Sequence, residues 1–280
     1  MNTIINPTDL VKLQSEGTSL CIFDCRSSLM DEDAGQRAFN VAHIPGAQFA
    51  HLTKDLSGPI EPGVTGRHPL PTKETFLATL CEWGVTNEST VVAYDDANGA
   101  FAARLWWMMR WVGHSQVNVL NGGFSNWLAT ELPTNAEPVQ PKHSAFKLGP
   151  SISKTIEADV LLESEQFIID ARDQERFDGK VEPIDPIAGH IPGAHCLPFS
   201  QNLTASIQFK PVEELNARFV KAGLAKHSEA ICYCGSGVTA AHNILALVHA
   251  GFPEPALYPG SWSEWITDPS RPIATNISED

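Results

Sequence analysis

His43-Ile44-Pro45-Gly46-Ala47 and His190-Ile191-Pro192-Gly193-Ala194 are the same five residues, and each lies inside a longer set of matching blocks. Upstream, Ile22-Phe23-Asp24-Cys25-Arg26 answers Ile168-Ile169-Asp170-Ala171-Arg172. Downstream, Val91-Val92-Ala93-Tyr94-Asp95 answers Ala230-Ile231-Cys232-Tyr233-Cys234, and Gly122-Gly123-Phe124-Ser125-Asn126-Trp127 answers Gly260-Ser261-Trp262-Ser263-Glu264-Trp265. Matching blocks in one order mean two copies of one domain, at an offset well above the roughly 20–50 residues of solenoid repeats. The boundaries expected from this are a first domain over 1–132, a linker over 133–150 and a second domain over 151–280. The linker carries Pro133, Pro138, Pro141 and Pro150 without apolar periodicity, so it reads as a strap along the surface.

Within the first copy, apolar runs near 20–24, 90–94 and 117–120 alternate with helical patterns near 8–16, 73–83 and 101–112. Such alternation predicts an α/β fold: two tandem domains, each a parallel sheet flanked by helices on both faces. Ligands of these sheets bind beyond the carboxyl ends of the strands. The repeat puts Asp95 there in one copy and Cys234 in the other, so the first domain is expected to be catalytically degenerate.

Cys234 stands where the apolar run 229–233 hands over to a helical pattern through Ile244, Leu245, Leu247 and Val248. Turn amides and the positive end of a helix dipole then face the sulfur, an environment that favours a thiolate. Gly235 and Gly237 allow the tight turn, and Ser236 and Thr239 add hydroxyls to the same ring. The competing reading, a buried strand thiol, suits Cys232 better, because it lies inside the apolar run. A resolving thiol is the other reading of Cys232.

The chain has 280 residues, 42% of them hydrophobic, enough for two packed cores. Its net charge of −14 argues against nucleic acid and anionic membranes as partners, though not against a small anion held by local amides and arginines. The first ten residues carry no basic region followed by an apolar stretch, and no run approaches the roughly 18 apolar residues of a membrane span. A cytoplasmic location is expected. Six scattered cysteines, without zinc-site spacing, read as free thiols rather than a disulfide framework or a metal site.

At these motifs the chain resembles the two-domain rhodanese-type sulfurtransferases, the family of the thiosulfate and 3-mercaptopyruvate enzymes. Phe39 through Ala47 is similar to the family's N-terminal signature and Tyr258 through Trp265 to its C-terminal one. Cys234-Gly235-Ser236-Gly237-Val238-Thr239 resembles the active loop of the mercaptopyruvate branch, without the basic pair that thiosulfate enzymes of the animal type carry. The resemblance implies ping-pong transfer, with no cofactor, of a sulfane sulfur from an anionic donor through a Cys234 persulfide to cyanide, a thiol or a thioredoxin-like acceptor. It implies donor binding by Arg176 and by the loop from Gly235 to Thr239, including Val238. Arg172 belongs to the repeated Asp-x-Arg and reads as structural. One departure stands out: the mercaptopyruvate branch places a second arginine after a Glu-Pro step, where this chain has Glu182-Pro183-Ile184. The branch also implies a proton relay, placed here on Asp33, His43 and Ser236, with Asp31 and Glu32 as other candidates for the acidic member; the reading His43 shares with His190 is structural, an imidazole fastening the Pro-Gly turn.

Two other classes are weighed against this one. A Cys-dependent phosphatase needs an Arg six residues after the Cys, where this chain has Ala240. A sulfur carrier or protein-binding module would load one sulfur and stop. The Trp106–Trp111 cluster reads as core and interdomain contact. The Pro-bounded loop at 59–71, with Gly66-Arg67-His68-Pro69, either closes over a site or connects.

Overall fold

The computed structural model describes residues 3–277. The chain forms two compact units, one made of residues up to 58, 70–153 and 205–209, the other of 59–69, 154–204 and 210 onward. The 59–69 loop thus packs in the second unit although its sequence lies in the first copy. The expected linker, 133–150, packs wholly in the first unit.

In the first unit the elements run β1 (Ile4–Ile5), α1 (Pro7–Ser15), β2 (Leu20–Asp24), α2 (Ala34–Val41), β3 (Ala47–Phe49), α3 (Lys73–Glu82), β4 (Thr90–Tyr94), α4 (Ala100–Trp111), β5 (Val117–Leu120) and α5 (Gly123–Ala129). The sheet order is β1-β5-β4-β2-β3, parallel throughout. Near-continuous apolar strands such as Thr-Val-Val-Ala-Tyr suit a parallel sheet covered by helices. Pro7 opens α1 and Asp9 accepts the Asn6 amide; Thr72 Oγ1 caps α3 by accepting from Thr75 N at 3.1 Å. Helix α4 is buried almost all round, including Trp106 and Trp107, consistent with a core role for that cluster.

The second unit repeats the plan with α6 (Ala158–Leu162), β6 (Phe167–Asp170), α7 (Gln174–Phe177), β7 (His195–Cys196), a 3-10 turn (Phe199–Asn202), α8 (Val212–Lys221), β8 (Ala230–Tyr233), α9 (Thr239–His249), β9 (Ala256–Leu257) and α10 (Ser261–Trp265). Its parallel sheet runs β7-β6-β8-β9, the counterpart of β3-β2-β4-β5. The outer strand β1 is reduced here to a single bridge, Thr155 to Leu257.

The repeated blocks share more than backbone. Arg26 grips Asp24 and Arg172 grips Asp170 in the same buried fork, with each second arm on a carbonyl, Ala42 O at 2.6 Å and Gly189 O at 2.7 Å. Tyr94 and Tyr233 each accept the amide after the repeated histidine, from Ile44 and Ile191, at 3.2 Å. His43 stacks on Phe39 and His190 on Phe177, and each histidine pairs by backbone with an extended return segment, at Asn135 and Ala274. Arg172 is therefore a structural partner of Asp170, as its twin Arg26 is of Asp24.

Candidate active site

Strand β8 ends at Tyr233, so Cys234 begins the turn that opens α9 at Thr239, and the side chains of Cys234 and Ser236 are almost wholly buried. The loop's carbonyls are tied back to α10: Trp262 N donates to Cys234 O at 3.0 Å and Ser263 N to Gly235 O at 2.9 Å. Ser261, held at φ 55°, accepts the Cys234 amide at 3.0 Å and donates to Tyr258 O. With the Cys234 and Gly235 carbonyls tied to α10, the loop turns an amide onto the sulfur: Gly237 N donates to Cys234 Sγ at 3.2 Å. Gly237 has φ 77°, and a Cβ there would stand 2.4 Å from Pro259 O, so this position requires glycine.

Over the loop stand two guanidinium groups. A Cβ added to Gly235 would meet Arg67 Nη2 at 3.0 Å and Arg176 Nη2 at 3.5 Å, so both arginines close on the residue beside the sulfur. Arg176 is aimed by Glu182, through Nε at 3.1 Å and Nη2 at 2.7 Å, and by Asp185 at 3.2 Å. Asp185 also pairs with Arg67 Nη1, while Arg67 N donates to Ser263 Oγ at 3.1 Å. Burial pushes the Arg67 guanidinium down from its usual value, countered by attraction to the Cys234 sulfur. Glu182 holds its own turn as well, accepting the Ile184 and Asp185 amides at 3.1 Å.

Next to Arg67, His68 Nδ1 lies 2.9 Å from Ser236 Oγ. For His43 the sequence offers two readings, a relay member with Asp33 or a fastener of the Pro-Gly turn. In the structure His43 is fully buried with Nδ1 2.8 Å from Phe39 O and Nε2 3.1 Å from Glu137 O, the fastening arrangement of its twin His190, whose Nδ1 meets Phe177 O. Asp33 sits exposed at the start of α2, its backbone carbonyl receiving the Arg37 amide. The imidazole brought to Ser236 is that of His68. Both Arg67 and His68 lie in the loop that the sequence reads as either closing over a site or connecting; their signal is two chemistry-bearing residues between Gly66 and Pro69 in a segment with no partner in the repeat. Val238 is buried and Thr239 opens α9. Burial, with the neighbouring Cys234 adding to it, pushes the Cys232 thiol up, which suits a core residue. Among the described residues no group of three or more His, Cys, Asp or Glu stands close enough to hold a metal ion, and no helix is long and apolar enough to cross a membrane.

The rhodanese-like domain model matches residues 6–130 and 155–268. A probable 3-mercaptopyruvate sulfurtransferase of Pseudomonas aeruginosa is 48% identical over 262 residues, covering 91% of this chain and 92% of that protein. The thiosulfate sulfurtransferase of Gallus gallus is 37% identical over 267 residues, covering 92% and 90%. Among solved structures, SseA from Escherichia coli, described as a 3-mercaptopyruvate enzyme of rhodanese fold, superposes with a TM-score of 0.81 at 32% identity, covering 94% of this chain and all of that one. The chain belongs to the rhodanese-like family, with two such domains in tandem. It is a sulfurtransferase.

Proposed function

We propose that Cys234 is the nucleophile, and that it carries the sulfur as a persulfide between a small anionic donor and a thiol or cyanide. The observation that carries this reading is the sulfur seated in its amide turn beneath Arg67 and Arg176. The donor's carboxylate or sulfonate takes the arginine arms in fork geometry. The Cys234 thiolate attacks the donor's sulfur. With 3-mercaptopyruvate the carbon–sulfur bond breaks, its electron pair leaves on the pyruvate enolate, and the donor's thiol proton ends on that carbon. With thiosulfate the sulfur–sulfur bond breaks and sulfite leaves without any proton transfer. His68 and Ser236 stand where a proton can pass between donor sulfur and enolate, so they serve the first donor and not the second. The loop amides hold the anionic persulfide until the acceptor removes its outer sulfur.

The Ile184 departure weakens the case for mercaptopyruvate less than the sequence implies, because Arg67 supplies a second guanidinium from the 59–69 loop. We therefore favour 3-mercaptopyruvate over thiosulfate as donor. The domain reading follows the same logic: the second repeat holds the reactive cysteine and the first, with Asp95, does not react.

The testing experiment compares kcat/KM for both donors with cyanide as acceptor, in the native chain and in Ser236→Ala. A mercaptopyruvate preference that the substitution erodes supports the relay. Preference for thiosulfate, untouched by the substitution, overturns the donor assignment. Loading of one sulfur per chain without turnover is the result that favours a carrier.

A further inference from the structure

Beside Arg67 lies a cavity of about 330 Å³, within the range of small-ligand pockets. Its apolar lining is Ile60, Ile184, Pro186 and Ile266; its polar lining is Arg67, Asp185 and Ser263, with Thr65 and Thr267. The polar lining is also part of the active loop's frame, since Ser263 N donates to Gly235 O and Arg67 Nη2 overhangs Gly235. Ile60 and Ile184 are 53% and 40% exposed, so the apolar rim is open to solvent and not locked in the core.

Neither mercaptopyruvate nor thiosulfate has an apolar tail, so neither donor accounts for this wall. The second half-reaction does bring a different molecule to the same sulfur. We infer that the cavity lined by Ile60, Ile184, Pro186 and Ile266 beside Arg67 is the acceptor subsite, and that it selects thiols with a short alkyl tail. The inference rests on the Cys234 persulfide reading. The tail lies against the isoleucines while the acceptor's thiolate, attracted by Arg67, attacks the outer sulfur of the persulfide. The persulfide S–S bond breaks, Cys234 leaves as a thiolate and the acceptor departs as an alkyl persulfide. Electrons and atoms balance without any added oxidant. Isoleucine at 184 thereby has a role: an arginine there would put a charge into this wall.

The test is acceptor kinetics on the persulfide-loaded full chain, with ethanethiol, 1-propanethiol, 1-butanethiol and 2-mercaptoethanol compared at equal thiolate concentration, and cyanide as reference. Expected is a rise in kcat/KM of roughly three- to fourfold per methylene. 1-Propanethiol should exceed the near-isosteric 2-mercaptoethanol by about tenfold, because a hydroxyl laid against the isoleucines gives up its water there. In Ile60→Asp, an exposed position whose change spares the core, and in Ile184→Arg, the slope with chain length should flatten relative to cyanide. A flat native series with normal cyanide turnover overturns the acceptor subsite and leaves the persulfide reading standing. Loss of transfer to cyanide as well as to every thiol overturns both. A chain-length slope seen instead in the donor half-reaction, with alkyl thiosulfonates, overturns the acceptor assignment in favour of an organic donor.

Discussion

The two units build the same turn after the same strand and put different atoms in it. In the first, the Asp95 carboxylate accepts four amides, from Ala97 at 2.9 Å and from Gly99, Phe101 and Ala102 at 2.8 Å. In the second, the Cys234 sulfur occupies the corresponding turn with the Gly237 amide at 3.2 Å. The backbone anchor is shared, as Phe124 N donates to Asp95 O at 2.8 Å just as Trp262 N does to Cys234 O. Amides turned onto one acceptor favour an anion there. The first unit fills its turn with the Asp95 carboxylate, while the second, on the proposed reading, holds a nucleophile that gains and loses a sulfur. The arginines differ too: counted from the shared Asp-x-Arg, Met30, 90% exposed, stands where Arg176 stands. The lesson is that one scaffold presents a hydrogen-bonded carboxylate or a thiol beneath two arginines according to a residue at one strand end and its neighbours.

The comparison breaks most visibly at the nucleophile. Cys234→Ser should lower kcat by at least about three orders of magnitude, read as thiocyanate formation, since a hydroxyl cannot store the sulfur. Cys234→Asp, which makes the second turn like the first, should be equally inactive yet unfold no earlier than the native chain. Retained transfer in either would remove Cys234 from its role. The converse change, Asp95→Leu, leaves four buried amides unpaired at roughly 1–3 kcal/mol each, so a loss of at least about 4 kcal/mol in urea unfolding is expected with the second unit's chemistry intact. If stability is unchanged, the carboxylate is not what holds the first turn.

Smaller effects refine the cationic half of the contrast. Arg176→Met and Arg67→Met should each raise the mercaptopyruvate KM by about ten- to a hundredfold, the worth of a charged hydrogen bond of ~1.5–3 kcal/mol. Unequal effects would show which arginine anchors the donor. The smallest difference concerns how each unit is closed. The second unit's return segment is clipped where Asn276 N donates to Asp178 O at 3.0 Å and its side chain to Asp178 Oδ1 at 2.9 Å. Lys180, with Asn276 and Gln174, holds the Asp178 carboxyl down at about 2. A lowered folded value means the native state binds the proton less readily, so the contribution is full above the ordinary carboxylate range and is lost as pH falls from about 4 to 2. Hydrogen exchange at Asn276 should rise across that window in the native chain and stay pH-independent, beyond intrinsic chemistry, in Asp178→Asn.

Much of this was legible in the amino-acid sequence because it is local or periodic. The observed strands at 20–24, 90–94 and 117–120 fall on the expected apolar runs, and helices 7–15, 73–82 and 100–111 on the expected patterns. The repeat aligned Asp95 with Cys234 before any coordinates. The edge strands β1, β3, β7 and β9, two or three residues each, were not legible, because pairing defines them and periodicity does not. His43 is instructive: its occurrence in both copies points to what both share, the Phe stack and the return segment, and those are the contacts it makes.

The sequence by itself determined the duplication, the parallel α/β plan, the turn at the end of β8 and the residue it presents. Those follow from apolar period, glycine spacing and internal comparison, which act over a few residues at a time. Tertiary structure alone decided the company that residue keeps. Arg67 and His68 reach the Cys234 loop from more than a hundred residues away, and Glu182 and Asp185 aim the guanidiniums there. No spacing rule encodes such a meeting, because it depends on how a loop without regular structure packs in the unit formed by later parts of the chain.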